Sequence, residues 1–270
     1  MELSKQRRAL HTGIVKLFIR RILTGFKRSQ RFVKEEYENV WESWQKGEAK
    51  FMRSVPILGY KNGALAQIIP EELQISNIRL LADSLRTHDT VLELGSGVGV
   101  NILALSLLCP EVKHWEGIDL TAKGVEISSR NLSHPPVSLL SRMTGLSESE
   151  VSTQFDASKI TFRQGSILEL PYDDNSFDAV FSHEVFEQIP HDYRRGFKEA
   201  FRVTKRAGYF LEGFRESDRN LFQFMHKMNV DYFRASVNEL TRAGFKRVTL
   251  ISLPLSKAKL GEALAVAEKS

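Results

Sequence analysis

Short apolar runs alternate with amphipathic stretches along the last two thirds of this 270-residue chain. The runs that predict β-strands lie at residues 90–94, 113–118, 160–164, 177–182, 208–214, 245–252 and 262–268. Between the first five runs, apolar residues recur at the three- and four-residue spacing of helices. Strands that alternate with helices form a parallel sheet with crossover helices on both faces. The last two strands follow each other across a short gap, so we expect an antiparallel hairpin at the sheet edge.

The predicted fold class is therefore α/β: a Rossmann-like, seven-stranded mixed sheet with helices on both faces, an antiparallel C-terminal hairpin and an N-terminal helical extension. We divide the chain into an arm at 1–34, a helical, lid-like extension at 35–77 and a main domain at 78–270. Within that domain, 134–159 is longer than a strand connection requires. It contains a predicted helix start at Ser147, where Glu150 completes a capping box.

The extension at 35–77 joins an aromatic, charged stretch to one that is rich in turn residues. The turn residues, which interrupt the helical pattern, are Pro56, Gly59, Asn62, Gly63 and Pro70. Because this stretch directly precedes the first strand of the main domain, it is well placed to form a lid. Trp41 and Trp44 within it are expected to pack rather than to stack on a ligand.

Positive charge is concentrated in the N-terminal arm. Ten Lys or Arg and one acid give residues 1–34 a formal charge of +9, and the whole chain carries +5, so residues 35–270 carry −4. Apolar residues of the arm recur at helical spacing between the cations, which predicts a basic amphipathic helix. Four roles stay open for it: packing on the main domain with its charges solvated, peripheral contact with an anionic membrane, organelle targeting, and contact with RNA. The mildly acidic main domain disfavours nucleic acid as a general partner.

The cysteine count and the lengths of the apolar runs exclude several classes of protein. The chain has one cysteine, Cys109, which excludes an internal disulfide and a four-cysteine zinc site. We expect this thiol to be buried packing at the end of an apolar helix. No run of about 18 apolar residues predicts a transmembrane helix. We therefore expect a cytoplasmic protein, with membrane contact only through residues 1–34.

Three glycines mark the turn between the first strand of the main domain and the helix that follows. The stretch "VLELGSGVGVNILALS" places Gly95, Gly97 and Gly99 at this turn. Glycine there permits positive φ and lets a ligand approach the backbone, while the helix N-terminus offers free N–H groups. Twenty residues after Gly99, Asp119 ends the second strand, where a carboxylate can accept both hydroxyls of a ribose. Together these features predict a nucleoside-containing ligand across the switch point of the sheet.

The spacing of the glycines and several later stretches resemble one family. The loop is G-x-G-x-G preceded by Glu93, and not the G-x-G-x-x-G of dinucleotide-binding proteins. It resembles the first motif of the class I S-adenosylmethionine-dependent methyltransferases. "FRQGSILELPYDDNSFDAVFSHEVFEQIP", "EAFRVTKRAGYFLEGF", "SVNELTRAGFKRVTLISL" and "ALAVAEKS" are similar to that family's later strands, so the resemblance covers about residues 78–270.

The resemblance implies S-adenosylmethionine as the cofactor and assigns a set of residues to it. The glycines and Glu93 would lie at its amino-acid part, Asp119 at the ribose and Leu120 on the adenine. The turn at Gly165, Ser166 and Ile167 would meet the adenine edge, although many relatives have Asp where Ser166 stands. Ser182, His183 and Glu187 would lie on the methyl side.

Methyl transfer needs an aligned acceptor, and a hydroxyl or carbon acid also needs a base. We predict His183 and Glu187 as catalytic residues, with His183 ranked first. Glu184, His191 and Tyr172 are further candidates for the base. No metal is predicted, because "HEVFE" lacks the second histidine of H-E-x-x-H.

The predicted function is methyl transfer to a small-molecule or lipid-linked acceptor. The stretch "SHEV" stands where a "(D/N)PPY" motif would indicate methylation of adenine or glutamine, and no second thiol supports pyrimidine C5 methylation. Three alternatives remain: an RNA methyltransferase that uses the basic arm, a non-catalytic protein that binds the cofactor, and a nicotinamide oxidoreductase. The glycine spacing disfavours the last of these.

Overall fold

The computed structural model describes residues 27–45 and 54–270. Most of the predicted arm therefore lies outside the described residues. The helices are α1 (Gln30–Gln45), α2 (Pro70–Leu85), α3 (Val100–Leu108), α4 (Ala122–Ser133), α5 (Val137–Thr144), α6 (Glu148–Gln154), α7 (Tyr193–Val203), α8 (Leu221–Asn229) and α9 (Asn238–Ala243). The strands are β1 (Ile57–Lys61), β2 (Ala64–Ile68), β3 (Thr90–Leu94), β4 (His114–Asp119), β5 (Ile160–Gln164), β6 (Phe177–His183), β7 (Thr204–Glu212), β8 (Arg247–Ser252), β9 (Leu255–Lys257) and β10 (Ala263–Glu268).

A seven-stranded sheet forms the centre of the main domain, with strand order β5-β4-β3-β6-β7-β10-β8. The first five strands in this order are parallel, and β10 pairs antiparallel with both β7 and β8. Two apolar clusters cover its faces, one around Trp115 and Phe181 and the other around Phe186 and Phe197. The predicted mixed sheet and its antiparallel hairpin are confirmed.

The order of the strands determines where a ligand can bind. The chain leaves β3 towards β4 and β5 on one side, and then crosses to β6 and β7 on the other. In open α/β sheets, ligands bind in the crevice at such a switch point, beyond the carboxyl ends of the strands. Here that crevice lies between the loop after β3 and the loops after β4 and β6.

A second, three-stranded sheet includes the part of 35–77 where we expected only turn residues between helical stretches. Its order is β2-β1-β9, so a hairpin from the extension pairs with a short strand near the C-terminus. The turn at Asn62 and Gly63 has positive φ at both residues, 49° and 86°. This two-residue Asn-Gly turn matches the twist of an antiparallel pair and favours a hairpin over a helix.

The remaining helices fit the sequence pattern. Ser147 caps α6 and Glu150 bonds back to the Ser147 backbone, so the predicted capping box is confirmed. Within the described residues, no helix combines the length and the apolarity that crossing a bilayer requires.

Candidate functional site

The glycine loop follows β3 with the backbone that its sequence predicts. Gly95, Gly97 and Gly99 have φ of 72°, 51° and 80°, all in the left-handed region. A Cβ at Gly95 would lie 2.7 Å from the side chain of Val185, and one at Gly97 would lie 2.6 Å from the ring of Trp41. Gly95 and Gly97 line a cavity above the crevice, whereas Gly99 begins α3 against Phe162.

Asp119 ends β4 on the other side of the crevice and also lines the cavity. One carboxylate oxygen accepts the Gly97 N–H at 2.8 Å, and the other accepts from the backbone N–H (2.9 Å) and hydroxyl (2.5 Å) of Thr121. Burial raises the pKa of Asp119, although these hydrogen bonds oppose the shift. The carboxylate therefore joins the glycine loop to the start of α4.

Helix α1 covers the cavity from the solvent side. Its residues Gln30, Val33, Tyr37 and Trp41 line the cavity, and the ring of Trp41 lies against Gly97. Gln30 donates to the Ser166 hydroxyl at 2.6 Å. One turn before Trp41, the carboxylate of Glu38 accepts the backbone N–H groups of Ala122 and Lys123, each at 3.0 Å. A carboxylate at this position satisfies free donors at the N-terminus of α4 and favours its dipole.

A polar chain closes the end of the cavity next to β3. Gln74 donates to Asn101 at 3.0 Å, and Asn101 donates to Glu93 at 2.8 Å. Burial raises the pKa of Glu93 to about 8, with Asn101 opposing and Asp119 adding to the shift. Among the residues that the structure describes, the second carboxyl oxygen of Glu93 and the hydroxyl of Ser96 have no hydrogen-bond partner. Two buried polar atoms beside the glycine loop are thus available to a ligand.

The loop after β6 brings a histidine, a carboxylate and a lysine to the cavity wall. His183, Glu184 and Lys257 line it, and Lys257 reaches it from β9 of the small sheet. Lys257 forms an ion pair with Glu184. Nε2 of His183 lies 3.4 Å from the amide nitrogen of Asn77 and 3.8 Å from the Glu184 carboxylate. Glu184 has φ of 58°, which is rare for a residue with a side chain.

The charge states at this wall follow from burial and from the ion pair. Burial lowers the pKa of His183, and the nearby Glu184 only partly opposes this, so the imidazole is neutral at pH 7. Burial works against ionisation of Glu184, but Lys257 and His183 outweigh it and lower its pKa. The wall therefore presents a neutral imidazole beside an ionised carboxylate.

Further carboxyl groups are buried behind this wall. Glu212 accepts from the Ser182 hydroxyl at 2.7 Å and from the backbone of Val185 at 3.0 Å. Burial nevertheless raises the pKa of Glu212 to about 7 and that of Glu187 well above its ordinary value. Glu187 is only 2% exposed and is not among the residues that line the cavity. Like Ser182, it supports the wall from behind.

The structure brings half of the predicted site residues to the lining of one cavity. Gly95, Gly97, Asp119, Leu120, Ile167 and His183 line it. Glu93 and Ser166 reach it through one hydrogen bond each, to Asn101 and Gln30. The others (Gly99, Gly165, Ser182 and Glu187) lie behind its walls.

Of the further candidates for the base, one lines the cavity and two lie outside its lining. Glu184 lines the cavity, whereas His191 bonds to Asp231 at 2.9 Å and the Tyr172 hydroxyl donates to Glu116 at 2.7 Å, both outside the cavity lining. No group of three or more His, Cys, Asp or Glu within the described residues is arranged to hold a metal ion.

Sequence reasoning missed the residues that reach the site from elements outside the core pattern. Lys257 comes from β9 and Gln30 from α1, and neither belongs to a motif. Gln74, Asn77 and Asn101 are polar residues on the cavity side of α2 and α3. A polar residue at a position where the helical period predicts an apolar one was the available signal, and Asn77, which is 1% exposed, is the clearest case.

The cavity suits a nucleoside that carries a positive charge. Gly95 and Gly97 line it where Val185 and Trp41 pack against their backbone, an acidic side chain ends the second strand of the main domain, and Glu93 and Ser96 keep unpaired polar atoms. The carboxylates of Asp119 and Glu184 face it directly, and the Glu93 carboxyl group, whose pKa burial raises to about 8, is linked to it through Asn101. The fold and site together define a Rossmann-like nucleoside-binding domain.

Comparison with known proteins identifies which class of such domains this is. Residues 92–211 match a family model described as a methyltransferase domain. An uncharacterized methyltransferase of Bacillus subtilis, YcgJ, is 27% identical over 146 residues, which are 53% of this chain and 48% of that protein. Mouse arsenite methyltransferase is 32% identical over 127 residues, 45% of this chain and 30% of that protein. The chain thus spans about half or less of the length of these two relatives.

Solved structures show the same fold at low identity. A putative methyltransferase bound to the Trm112 activator of Haloferax volcanii aligns with a TM-score of 0.53 and 17% identity, over 74% of this chain and 90% of that one. Geranyl diphosphate methyltransferase in complex with S-adenosylmethionine aligns at 0.53 and 15%, over 75% and 88%. The [4+2]-cyclase SpnF aligns at 0.53 and 19%, over 84% and 76%.

The family match and the cavity agree. Residues 92–211 match the methyltransferase domain, and S-adenosylmethionine is the cofactor of the class I S-adenosylmethionine-dependent methyltransferases.

Proposed function

We propose that this protein transfers a methyl group from S-adenosylmethionine to a small-molecule or lipid-linked acceptor. The observation that carries the proposal is the convergence of Gly95, Gly97 and Asp119 with His183 on one covered cavity. Binding determinants and a neutral base thereby face the same space. When bound, the cofactor supplies a sulfonium methyl that is already activated, so the protein mainly has to align the acceptor with it.

The residues of the crevice would hold the parts of the cofactor as follows. Asp119 accepts hydrogen bonds from the ribose hydroxyls. The unpaired atoms of Glu93 and Ser96, with Asn101, lie where the charged amino-acid part would bind. Leu120 and Ile167 provide apolar faces for the adenine, and Gln30 holds the Ser166 hydroxyl at the adenine edge.

The opposite wall would hold and deprotonate the acceptor. A hydroxyl acceptor placed within reach of Nε2 of His183 loses its proton to that nitrogen as its oxygen forms the new bond to the methyl carbon. The Asn77 amide nitrogen donates to this same nitrogen at 3.4 Å, so an acceptor hydroxyl takes the place of Asn77 when it binds. Glu184 stabilises the imidazolium that results, because its carboxylate lies 3.8 Å from the same nitrogen.

Arsenite, the acceptor named for the mouse and human relatives, is a poor match for the residues present. Soft centres of this kind are bound by thiolates. The only cysteine of this chain, Cys109, is fully buried, and burial raises the pKa of its thiol to about 12. An oxygen, nitrogen or carbon acceptor therefore fits the cavity better.

The test is a pair of measurements on the full chain. Calorimetric titration with S-adenosylmethionine and with NADH should give binding of the first and not of the second. Incubation with methyl-labelled cofactor and fractionated cell extract should then transfer label to a small or lipid-soluble product. Binding without transfer to any fraction would indicate a non-catalytic protein, transfer only to RNA would indicate the alternative acceptor class, and binding of NADH alone would refute the proposal.

A further inference from the structure

Helix α8 has its polar and apolar faces reversed. Every buried position of the helix is polar, and every position with solvent exposure from Leu221 to Met228 is apolar. The buried residues are Gln223, His226, Lys227 and Asn229. The exposed or half-exposed ones are Leu221, Phe222, Phe224, Met225 and Met228. A helix that only packs on a soluble domain shows the opposite arrangement.

Two of the four inward side chains, Gln223 and Lys227, have specific polar partners, which hold the helix in this orientation. Lys227 is fully buried, donates to the Gly213 carbonyl at 2.8 Å and pairs with Asp218 at 2.6 Å. The side-chain oxygen of Gln223 accepts the Arg219 N–H at 2.7 Å. Turning the helix to bury its apolar face would move Lys227 and Gln223 away from these partners. The hydrogen bonds and the ion pair would then be lost.

The outward face continues onto the small sheet. Leu221 is 71% exposed and Met225, one turn later, is 40% exposed. Tyr60 of β1 accepts a hydrogen bond from Asn220, the residue before α8, at 2.7 Å. Leu65, which is 42% exposed, lies opposite Tyr60 in the hairpin register and so shares its face. We call Leu65, Leu221, Phe224 and Met225 the apolar lip.

Two cations lie close to the apolar lip. The Arg219 guanidinium lies 5.2 Å from the centre of the Tyr60 ring. Lys259 is exposed and lies two residues after Lys257, whose carbonyl accepts from Gln223 of α8 at 3.5 Å. An apolar centre with a basic rim matches the acyl and headgroup layers of an anionic bilayer.

We propose that the apolar lip docks the protein onto a lipid bilayer that carries anionic headgroups, with Leu221 and Met225 inserted and Arg219 and Lys259 at the headgroups. This surface is formed by other residues than those of the basic arm. It also lies next to the cavity, because Gln223 of α8 contacts the backbone carbonyl of Lys257, whose side chain lines the cavity wall. Access of a lipid-linked acceptor through this side rests on the proposed function, whereas docking itself does not.

A second copy of the chain fits the same face less well. In a two-fold interface the patch meets itself, so Arg219 and Lys259 of one copy would lie near those of the other. Helix α8 has nine residues and is therefore about 13.5 Å long. The lip is small compared with the roughly 1,200 Å² that the smallest stable interfaces bury.

The first test measures sedimentation of the full chain with vesicles, without cofactor. Vesicles of phosphatidylcholine and phosphatidylglycerol should carry the protein down, and vesicles of phosphatidylcholine alone should do so more weakly. The double variant Leu221→Asp/Met225→Asp should lower the bound fraction at least tenfold. The matched control Ile251→Asp/Ser252→Asp adds the same charge at exposed positions of β8 and should bind as the wild type does.

The second test places a probe on the lip itself. In a Leu221→Cys variant labelled with an environment-sensitive nitrobenzoxadiazole dye, emission should shift to the blue when anionic vesicles are added, and the same dye at Ile251→Cys should not shift. Cys109 is fully buried and should not react. Sedimentation with an unshifted 221 probe would assign binding to the arm and overturn the proposal. Wild-type binding by the aspartate double variant would also overturn it, as would a dimer that the variant abolishes without any vesicle binding.

Both tests can fail without affecting the proposed function. Calorimetric binding of S-adenosylmethionine involves the glycine loop and Asp119, which lie outside the lip. A protein that binds the cofactor but ignores vesicles would refute only the docking surface.

Discussion

At the scale of single residues, the environment of a side chain decides its role more than its position in a motif does. His183, Glu184 and Glu187 lie within five residues of one another after β6. Glu184 has the rare positive φ that turns its side chain to the cavity, where Lys257 keeps it ionised. Glu187 is buried without a cation of its own, so its carboxyl group stays protonated. The acidic residue that can act on an acceptor is therefore Glu184.

The lowered pKa of His183 predicts the pH dependence of methyl transfer to a hydroxyl acceptor. Only the neutral imidazole can take a proton, so the rate should be constant around pH 7 and fall on the acid side, with an apparent pKa below 6.5. His183→Asn should lower kcat by about 10²- to 10⁴-fold and leave cofactor affinity unchanged. A pH-rate profile with calorimetry checks both, and an unchanged rate in the variant would remove His183 from the mechanism.

The raised pKa of Glu212 predicts that the folded protein becomes less stable as pH rises, whereas the rate of methyl transfer falls on the acid side. Its pKa is raised to about 7 in the folded protein, so between its ordinary value of 4.5 and pH 7 the folded state holds more protons than the unfolded state. Its contribution to the free energy of unfolding is therefore present at low pH and is lost as pH rises through 7. At about 1.4 kcal/mol per pKa unit the loss is roughly 3 kcal/mol.

The variant Glu212→Gln should remove this part of the pH dependence. Urea unfolding between pH 5 and 8 measures it, with Glu111→Gln as a control at an exposed position. If the wild-type and Glu212→Gln curves keep the same slope against pH, Glu212 is not the group that titrates.

At the scale of elements, α1 covers the cavity and is held by hydrogen bonds at its first residue and at its middle. Gln30 bonds to Ser166, and Glu38 bonds to the N-terminus of α4. Tyr37 and Trp41, on either side of Glu38, line the cavity. A cofactor in the crevice would thus lie under α1, and its retention depends on how firmly α1 is docked.

Glu38→Ala should weaken cofactor binding although Glu38 does not line the cavity. Loss of a capping carboxylate costs about 0.5 to 2 kcal/mol. If docking of α1 is required for tight binding, the Kd for S-adenosylhomocysteine should rise by roughly 2- to 30-fold. Glu42→Ala, an exposed glutamate on the same helix, should have no effect. Hydrogen exchange over 30–45 should become faster only in the Glu38 variant, and equal affinities in the two variants would separate α1 from cofactor retention.

Most elements of the main domain could be predicted from the sequence because local signals and burial agree there. The run at 90–94 is apolar on both faces and lies in the centre of the sheet, and the Ser147 capping box sets a helix start. The hairpin at 57–68 was missed because its turn signal, Asn62-Gly63, was given less weight than the flanking helical pattern. The pairing of β1 with β9 could not be predicted at all, since it joins residues almost 200 positions apart with no local signal for either partner.

Some residues of the candidate site could also be predicted from the sequence, and others could not. Gly95, Gly97 and Asp119 could be predicted because ligand approach and sheet topology require these residue types at those positions. Gln30 and Lys257 could not, because each enters the cavity through long-range packing. Helix α8 is a further example. The helical period of its sequence shows which residues share the apolar face, but it does not show whether that face is turned towards the protein or towards solvent.

At the scale of the whole molecule, the sheet brings together groups that are far apart in the chain. The switch point between β4 and β6 collects the glycine loop, the end of β4 and the loop after β6 around one cavity. Helix α1 covers that cavity, and the apolar lip lies against the far side of one of its walls. The central claim is that the glycine loop and Asp119 together bind one nucleoside cofactor.

Calorimetric titration of S-adenosylhomocysteine into Asp119→Asn tests this claim most directly. Hydrogen bonds to a charged group contribute about 1.5 to 3 kcal/mol, so the Kd should rise roughly 10- to 150-fold relative to the wild type. Asp83→Asn, which changes only a surface ion pair with Arg86, should leave the Kd unchanged, and thermal unfolding should show that both variants are folded. If Asp119→Asn is folded and binds S-adenosylhomocysteine as tightly as the wild type does, the account of the site is wrong.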